Sequence, residues 1–546
     1  MAMRAPHYDV IIVGGGSAGC VLAARLTENP DRRVLLIEAG PDTWSPFVST
    51  PTGVGMLWKK RMFDWGIDCV PCDGLNGRSI ELMRGKILGG SSAINALMHV
   101  RGAPADYDRW AANGCAGWDY ASVEKYFRKT ESWTGVPDPR RGDSGPVSIS
   151  PAETTDPLFD NWLAAAKSAG QTVMKDYNAL SPGDRLIGFA RNQQSVERGH
   201  RVTAKTAYLK SATKRPNLTV MATARVLNLL MQDTTASHPR VRGVRVAGKA
   251  GGTPKEIIAD DRVILSAGAF HTPHLLMLSG IGPEPVLQAG GIRVVVKSDG
   301  VGENYQDHMA VQLRFERTSP GPFHGQMRMD RLAVNFPTAC LFGIGPSTVV
   351  PSGVHGFVNT DRDAQAPTFQ YIFRGAPGDA RPWWPILSKG YQDGFGIRPV
   401  LLHPKSRGAI RLADADPRSL PRVDGRFFSE ESDINTLYDG VRIAQDLSAQ
   451  PAMKDYIKRG LDDFGSDKAK TLNWIRDTAV TVHHPCGTCA MGPDDVHPLS
   501  TDLSFKGVDG LYVVDASAMP GLVSGNINAC VYAIAEKFAA DIETST

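Results

Sequence analysis

The stretch DVIIVGGGSAG, residues 9–19, constrains the fold more than any other part of the chain. Its apolar run predicts a buried parallel strand, and Gly14, Gly16 and Gly19 follow at the spacing GxGxxG, ahead of the predicted helix CVLAARLTEN. In such a unit the first glycine makes the tight turn, the second admits a pyrophosphate and the third lets the helix pack on the strand. The helix N-terminus supplies free amides and the positive end of its dipole.

A second apolar run, RVLLIEAG, ends in Glu38. A carboxylate at the end of the second strand can accept hydrogen bonds from a ribose diol and would repel a 2′-phosphate. Together with the glycine motif it predicts a site for an adenine dinucleotide and favours FAD or NAD over NADP.

The segment RGKILGGSSAINALMHVRG, residues 84–102, is a second glycine-rich stretch. A nicotinamide dehydrogenase has no need of it, whereas a flavin must also be held along its ribityl chain and ring, where small residues permit backbone contact. The parts ILGG and AINALMHV are too apolar for a surface loop. The segment therefore favours a flavin.

Six stretches resemble, in order, the glucose–methanol–choline (GMC) oxidoreductases, a family of FAD enzymes. They are GKILGGSSAIN (85–95), RPNLTV (215–220) with Val226, TPHLLMLSGIG (272–282), GVGENYQDH (300–308), HPCGTCAMG (484–492) and LYVVDASAMPGLVSGNINACVYAIAEK (511–537). The resemblance is weakest between about residues 310 and 470. It implies an FAD-dependent oxidoreductase.

The resemblance also implies which residues bind FAD. Expected at the pyrophosphate and adenosine ribose are Gly14, Gly16, Ser17 and Glu38, with Ala18 and Ala39 beside them. Expected along the flavin are Trp65, Gly85, Leu88, Gly89, Gly90, Asn95, Ala96, Leu97 and Met98. Val226 would contact adenine, Ala267 would lie close to the nucleotide, Asp515 and Ala516 would close over the pyrophosphate and ribityl chain, and Ile527 would lie near the flavin ring.

Two positions depart from the family pattern. Some relatives tether FAD covalently through a histidine that would fall at Ile94, and isoleucine cannot form that bond, so we expect non-covalent FAD. His99 stands where the first signature usually carries an aromatic residue or alanine. It lies beyond the flavin-contacting run, and we interpret it as a variation in packing.

The stretch HHPCGTC, residues 483–489, allows three interpretations. Neighbouring histidines on an extended segment point to opposite sides, which disfavours a shared zinc ion, and no metal is expected. A redox pair at Cys486 and Cys489 would want a helix N-terminus; like Cys69 and Cys72, these two are expected to be chance spacings in a reduced protein.

The third interpretation is a catalytic base, because a neutral imidazole can take a hydroxyl proton at pH 7. The resemblance places this base at His484 and its partner at Asn526, which can hydrogen-bond the substrate oxygen without sharing the proton work. His483 is expected to be a supporting residue packed behind the site, and Asn528 is a candidate for an indirect role.

The fold class predicted is α/β (α+β overall), with a Rossmann-like FAD-binding domain and a discontinuous substrate domain built on an antiparallel sheet. The FAD-binding domain is expected at 1–155, 200–310 and 475–546, and the substrate-binding domain at 156–199 and 311–474. KEIIADDRVILSAGA predicts a strand or hairpin of the flavin sheet, and GAIRLADADPRSLPRVDGRFF predicts short strands of the roofing sheet. EESDINTLYDGVRIAQDLSAQ predicts an amphipathic helix on that roof.

The substrate domain is rich in aromatic side chains that we expect to line the pocket. They are Phe323, Tyr371, Phe373, Trp383, Trp384 and Phe395, with Arg374 among them. Together with the resemblance they favour oxidation of a primary alcohol, aromatic or heteroaromatic, to the aldehyde, with dioxygen or a quinone-type compound as electron acceptor. An aliphatic or polyol dehydrogenase, a non-redox FAD-containing lyase, a light-driven decarboxylase and a non-catalytic flavoprotein remain alternatives.

Bulk composition excludes several other classes. A formal net charge of +3 without a basic block gives no sign of nucleic-acid binding. No apolar run approaches the ~18–20 residues that span a bilayer, and the N-terminus predicts an unprocessed, cytoplasmic protein. The eight scattered cysteines predict reduced thiols. The oligomeric state is left open.

Overall fold

The computed structural model describes residues 6–248, 252–361, 363–388, 390–462, 464 and 467–545. Two large sheets organise these residues, one of seven strands and one of eight. The first is parallel around its centre and the second is antiparallel. This mixed architecture confirms the predicted fold class.

The seven-stranded sheet is built around the strand that carries the first glycine motif. Its order is Val226–Gln232, Arg240–Val246, Lys255–Leu265, His7–Val13, Val34–Ile37 and Leu218–Met221, with Leu511–Val513 also paired to Lys255–Leu265. The run KEIIADDRVIL is one continuous strand, which pairs in parallel with His7–Val13. Residues 10–13 and 34–37 are buried on both faces, as their unbroken apolar runs predict.

The eight-stranded sheet forms the roof over the site. Its antiparallel order is Ile457–Gly460, Leu313–Arg317, Gly394–Leu401, Phe369–Arg374, Ser352–Val358 and Gly188–Arg191. Met309–Ala310 pairs with Gly394–Leu401, and Val480–Thr481 pairs with Met309–Ala310. The predicted amphipathic helix, Glu431–Ser448, packs on its outer face, where the Tyr371 hydroxyl donates to the Gly440 carbonyl.

One expectation for the roof differs from the structure. The strands Ala409–Arg411 and Arg422–Asp424 pair antiparallel with each other but form a separate two-stranded sheet. Their backbone is bound instead by residues of other segments, since Tyr305 donates to Gly408 and Val70 donates to Val423. The apolar residues of these strands are buried in the core, and the strands do not extend the roof.

The α-helices lie around both sheets. Their bounds are Ser17–Leu26, Pro46–Ser49, Val54–Lys59, Pro104–Ala112, Tyr120–Thr130, Leu158–Ser168, Lys210–Ala212, Gly268–Leu278, Glu284–Ala289, Pro322–Gln326, Met329–Phe342, Glu431–Ser448, Lys468–Thr478 and Asn528–Ser545. The remaining short strands are Glu131–Trp133, Val147–Pro151, Gln193–Gln194, Val196–Glu197, His200–Arg201, Ile281–Gly282 and Val296–Lys297. None of the described helices has the length and apolarity to span a bilayer.

The strands follow the predicted domain segments closely. All seven strands of the first sheet fall within 1–155, 200–310 and 475–546. The roof takes six of its eight strands from 156–199 and 311–474, while 309–310 and 480–481 come from the segments expected in the FAD-binding domain. The predicted domain boundaries thus stay a prediction, with the roof sheet crossing them at two places.

Candidate active site

A cavity runs along the carboxyl ends of the parallel strands, where open α/β sheets bind nucleotides, and extends to His483 and His484. Most residues predicted to bind the cofactor or act in catalysis line it. These are Gly14, Gly16, Ser17, Ala18, Glu38, Ala39, Trp65, Gly85, Gly90, Asn95, Ala96, Met98, Val226, Ala267, His484, Asp515, Ala516, Asn526 and Ile527. Asn528 and Ile94 lie in the same wall.

Three predicted residues lie just outside this lining. Leu88 is 3% exposed and packs beside Gly15. Gly89 donates its amide hydrogen to the Gly15 carbonyl at 2.7 Å. Leu97 adopts a left-handed backbone with φ of 69° and donates its amide hydrogen to the Asn95 side chain at 3.0 Å. All three hold the second glycine-rich segment in shape, and a direct contact with the cofactor stays a prediction for them.

The glycines of the two loops have distinct reasons to be glycine. A Cβ on Gly14 would lie 2.4 Å from the Ser266 carbonyl oxygen, and one on Gly19 would lie 1.9 Å from the Gly14 oxygen. A Cβ on Gly16 would have 3.9 Å to its nearest neighbour, the Cα of Gly90, because this face opens on the cavity. Gly14 and Gly19 allow close packing, and Gly16 leaves room for a pyrophosphate.

The same two loops press against each other. Gly90 has a φ of +55°, and a Cβ on it would lie 2.6 Å from the Gly16 Cα. A Cβ on Gly85 would lie 2.3 Å from the Gly90 carbonyl carbon. Backbone therefore packs on backbone where the pyrophosphate site meets the segment expected to hold the flavin.

Three helices begin at the cavity wall, at Ser17, Gly268 and Asn528. Their N-termini offer amide hydrogens and the positive ends of their dipoles to an anion. The Asp515 carboxylate accepts hydrogen bonds from the Gly268 amide at 2.8 Å and the Thr272 hydroxyl at 2.6 Å, which ties the second helix to the C-terminal segment. These residues fit the pyrophosphate of FAD.

Glu38 is placed for the ribose diol. Its carboxylate accepts hydrogen bonds from the Gly15 amide at 2.8 Å and the Gly40 amide at 2.7 Å, and it borders the cavity while 6% exposed. Burial raises the pKa of Glu38 to about 7, against the lowering effect of those amides. Hydroxyl donors from a ribose would favour its ionised form.

Trp65 lies at the end of the cavity expected for adenine. Its ring stacks on His271 with centroids 4.0 Å apart, and the Arg225 guanidinium lies 5.4 Å from the centre of its ring. Arg225 is the chain neighbour of Val226, the residue expected at adenine. The resemblance groups Trp65 with the flavin, and which part of the cofactor Trp65 contacts stays a prediction.

His484 stands at the other end of the cavity, 8% exposed, with both ring nitrogens engaged. Its Nε2 lies 3.1 Å from the Asn526 side-chain nitrogen, and its Nδ1 lies 3.0 Å from the Nδ1 of His308. The backbone amide of His484 donates to the Asp307 carboxylate at 2.8 Å.

This network determines where the ring proton sits. The Gln370 side-chain nitrogen donates to the Asn526 oxygen at 3.2 Å, so the Asn526 nitrogen faces His484 and donates to Nε2. Nε2 therefore carries the lone pair, and Nδ1 carries the hydrogen that is donated to His308. A lone pair on the cavity side is what a base for an alcohol needs.

The surroundings also keep this imidazole neutral. Burial lowers the pKa of His484 well below its usual range, and the nearby His308, Arg84 and His483 lower it further. The Asp307 carboxylate binds the backbone amide of His484 and not its imidazole ring. Among the described residues, no carboxylate hydrogen-bonds the His484 ring.

His483 lines the cavity, whereas the sequence predicted a residue packed behind the site. It has a left-handed backbone, with φ of 64°, and its ring meets the edge of Trp58 at 6.2 Å between centroids. Cys486 and Cys489 are fully buried, and burial raises the pKa of both thiols well above the usual range. Such thiols lack the thiolate character of a redox pair, and all eight cysteines are free.

Sequence reasoning missed several functional neighbours. Trp58, Arg84 and His271 line the cavity, and His308 and Gln370 hydrogen-bond the predicted catalytic residues His484 and Asn526. His308 closes the quoted motif GVGENYQDH, which was the available signal for it. Gln370 lies in the stretch where the resemblance is weakest, and nothing in the sequence points to it.

The aromatic lining expected from the substrate domain was wrong. Tyr371, Phe373 and Phe395 are at most 1% exposed and pack between the roof and its outer helices, and Trp384 is 52% exposed on the surface. Phe323 and Trp383 are also absent from the cavity wall. For Tyr371, Phe373 and Phe395, strand alternation turns the side chains away from the site.

Comparison with known proteins gives one family. The family model described as GMC oxidoreductase matches residues 8–310 with its N-terminal part and residues 404–535 with its C-terminal part. An oxygen-dependent choline dehydrogenase of Photobacterium profundum is 35% identical over 542 residues, covering 97% of this chain and 92% of the relative.

Solved structures agree with this result. A pyridoxine 4-oxidase from Mesorbium loti is 30% identical, with a TM-score of 0.86 over 98% of this chain and 99% of that one. A formate oxidase variant of Aspergillus oryzae RIB40 is 28% identical, with a TM-score of 0.89 over 100% and 99%. Going by these names, the similar proteins act on chemically different substrates.

The contact between the two glycine loops predicts that Gly90→Ala abolishes flavin binding. The added Cβ would meet the Gly16 backbone and would also require a left-handed alanine. The measurement is absorbance near 450 nm per mole of purified protein, with folding followed by circular dichroism.

Gly77→Ala is the matched control for backbone strain. Gly77 also has a positive φ, of +75°, but a Cβ there would meet nothing within 4 Å. It should bind flavin like the unsubstituted protein. A fully yellow Gly90→Ala protein would show that the loops do not need this contact.

Proposed function

This chain belongs to the GMC oxidoreductase family, and from that premise we propose that it oxidises a primary alcohol to the aldehyde with His484 as the base. As a family member it is an FAD-dependent oxidoreductase acting on CH–OH donors. The observation that carries the proposal is the lone pair of His484 Nε2, which is oriented into the cavity by Asn526.

Bound FAD supplies a hydride acceptor at its N5. The chain supplies the rest: His484 Nε2 accepts the hydroxyl proton, and the Asn526 nitrogen donates a hydrogen bond to the same oxygen as its negative charge develops. Because Asn526 carries no titratable proton, His484 acts as the single base.

His308 acts through His484. By accepting the Nδ1 hydrogen at 3.0 Å it selects the tautomer in which Nε2 carries no hydrogen, and the imidazolium formed when Nε2 takes a proton would keep that hydrogen bond. The His308 ring is itself fully buried, and burial lowers its pKa to about 3. His308 therefore remains neutral, as an acceptor must.

The cofactor is proposed to be held without a covalent bond. Ile94 lines the cavity at 4% exposure and offers no nucleophile to the flavin. The acceptor that completes turnover is proposed to be dioxygen or a quinone-type compound.

The proposed substrate class is narrower than the range of substrates named for members of the family. Trp58 is the large aromatic ring at the His483 side of the cavity, and its indole nitrogen donates to the Ile94 carbonyl at 2.7 Å. A planar alcohol could lie against the Trp58 indole, whose position is fixed by this hydrogen bond. The preference for an aromatic or heteroaromatic alcohol now rests on Trp58, since the aromatic residues of the roof point elsewhere.

His484→Ala should retain bound FAD and lose at least ~10²-fold in turnover, the usual scale for removing a general base. The measurement is aldehyde formation with a saturating electron acceptor. His497→Ala is the control, because His497 is partly exposed and pairs with Asp494 away from the cavity. Retained activity in His484→Ala would move the base elsewhere, with His483 as the next residue to substitute.

The lowered pKa of His484 predicts the pH profile. A base is active when deprotonated, so activity is lost as the pH falls through its pKa; a pKa well below the usual range moves this loss to lower pH. We expect kcat/KM to stay level from pH 8 down through the usual histidine range of about 6.5. An acidic limb centred at or above that value would contradict a buried neutral imidazole as the base.

A further inference from the structure

The inner face of the roof carries two arginines next to the catalytic pair. In the roof, Ile372 lies opposite Arg398, and Arg374 follows two residues after Ile372. Tyr371 and Phe373 point to the outer helices, as shown by the hydrogen bond to Gly440 and the stacking of Phe373 on Trp162. Since side chains alternate along a strand and directly opposite residues share a face, Arg374 and Arg398 point inward.

Gln370 shows that this face looks onto the active site. It precedes Ile372 by two residues on the same face, and its side-chain nitrogen bonds Asn526. The step from Gln370 to the level of Arg398 is about 7 Å along the strand. Arg398 also lies close enough to His483, a residue of the cavity wall, to lower the pKa of that ring, after burial and Arg84.

Neither arginine has an acidic partner among the described residues. Arg398 donates to the neutral side-chain oxygen of Gln312 at 3.2 Å, and the Arg374 guanidinium makes no hydrogen bond with any described group. On the neighbouring strand the buried Arg317 does have a partner, the Asp156 carboxylate at 2.7 Å.

Such an arrangement is costly without a ligand. Burial, and after it the charge of Arg374, lowers the pKa of Arg398 to about 9. Two unpaired guanidinium groups that repel each other destabilise a protein interior. Both side chains are half-buried and keep contact with open space, where an anion could reach them.

We propose that Arg374 and Arg398 bind an anionic group of the substrate, so that the enzyme acts on alcohols that also carry a carboxylate or phosphate. Guanidinium groups bind both anions through paired hydrogen bonds. The anion would lie on the roof, one short spacer away from the hydroxyl group at His484. The inference rests on the proposed oxidation at the same site.

The arginines also argue against a cationic substrate. Choline, the substrate named for the dehydrogenase relatives, carries a quaternary ammonium group. Arg84 lines the cavity, and Arg374 and Arg398 lie on the inner face of the roof beside it, so that group would approach three positive charges. Coulomb repulsion would oppose its binding.

The test compares two alcohols of the same shape, para-hydroxymethylbenzoate and its carboxamide, with choline as a third. The holoenzyme should prefer the benzoate over the carboxamide at least ~10-fold in kcat/KM, and choline should be the poorest. Arg398→Gln should lower that preference at least ~10-fold, and Arg398→Lys should lower it less. Arg459→Gln removes a charge on the same sheet where the arginine is 70% exposed and paired with Glu316, so it should keep the preference.

Binding of non-reacting anions separates this inference from the proposed function. Benzoate and phenyl phosphate are titrated against the holoenzyme, and the perturbation of its flavin absorbance gives each dissociation constant and shows which anion is favoured. If benzoate binds, and binds more weakly to Arg398→Gln, while no alcohol is oxidised, the anion site stands and the proposed oxidation fails. If the carboxamide or choline is oxidised better than the benzoate, the oxidation stands and the anion site is overturned. The preference of the unsubstituted enzyme for the benzoate over the carboxamide tests the anion site even if a variant fails to fold.

Discussion

The backbone contact between Gly16 and Gly90 is the constraint on which the rest of the structure depends. One loop ends the first strand of the seven-stranded sheet and starts the first helix, and the other begins the segment expected to hold the flavin. A side chain on Gly90 would separate them, because its Cβ would lie 2.6 Å from the Gly16 Cα. With the loops in contact, the helix N-termini and Glu38 face one continuous cavity that leads towards the roof.

The chemistry at the far end of that cavity depends on a neutral imidazole at His484. His484 is buried with His308 and Asn526 on its two ring nitrogens, and no described carboxylate binds the ring. A carboxylate there would raise the pKa of the imidazole and stabilise the protonated form. A neutral hydrogen-bond acceptor behind Nδ1 instead sets the tautomer and leaves Nε2 ready to accept a proton. Arg84 in the cavity wall also disfavours an imidazolium at His484.

The sequence predicted the cofactor half of this site far better than the substrate half. The strand, the glycine spacing and Glu38 obey local rules, because a turn and a helix start depend on neighbouring residues. The roof depends on strand pairing across long separations, and its contact with the site, the side-chain hydrogen bond from Gln370 to Asn526, is encoded by no local pattern. The aromatic residues of the roof were misassigned because their face depends on the register of that sheet, and a one-residue change of register reverses the face. His308 and His483 were within quoted motifs, but their orientation follows from tertiary contacts.

The most direct test of the account is the anaerobic absorbance of the purified holoenzyme near 450 nm after mixing with primary alcohols. We expect the flavin colour to bleach within the time of one turnover, most completely with an alcohol that carries an anionic group, and one aldehyde to form per flavin. Admission of air would then restore the colour at once if dioxygen is the acceptor, and slowly if a quinone is required. A yellow protein that no alcohol bleaches would contradict the proposed oxidation and favour a non-redox role for the bound FAD.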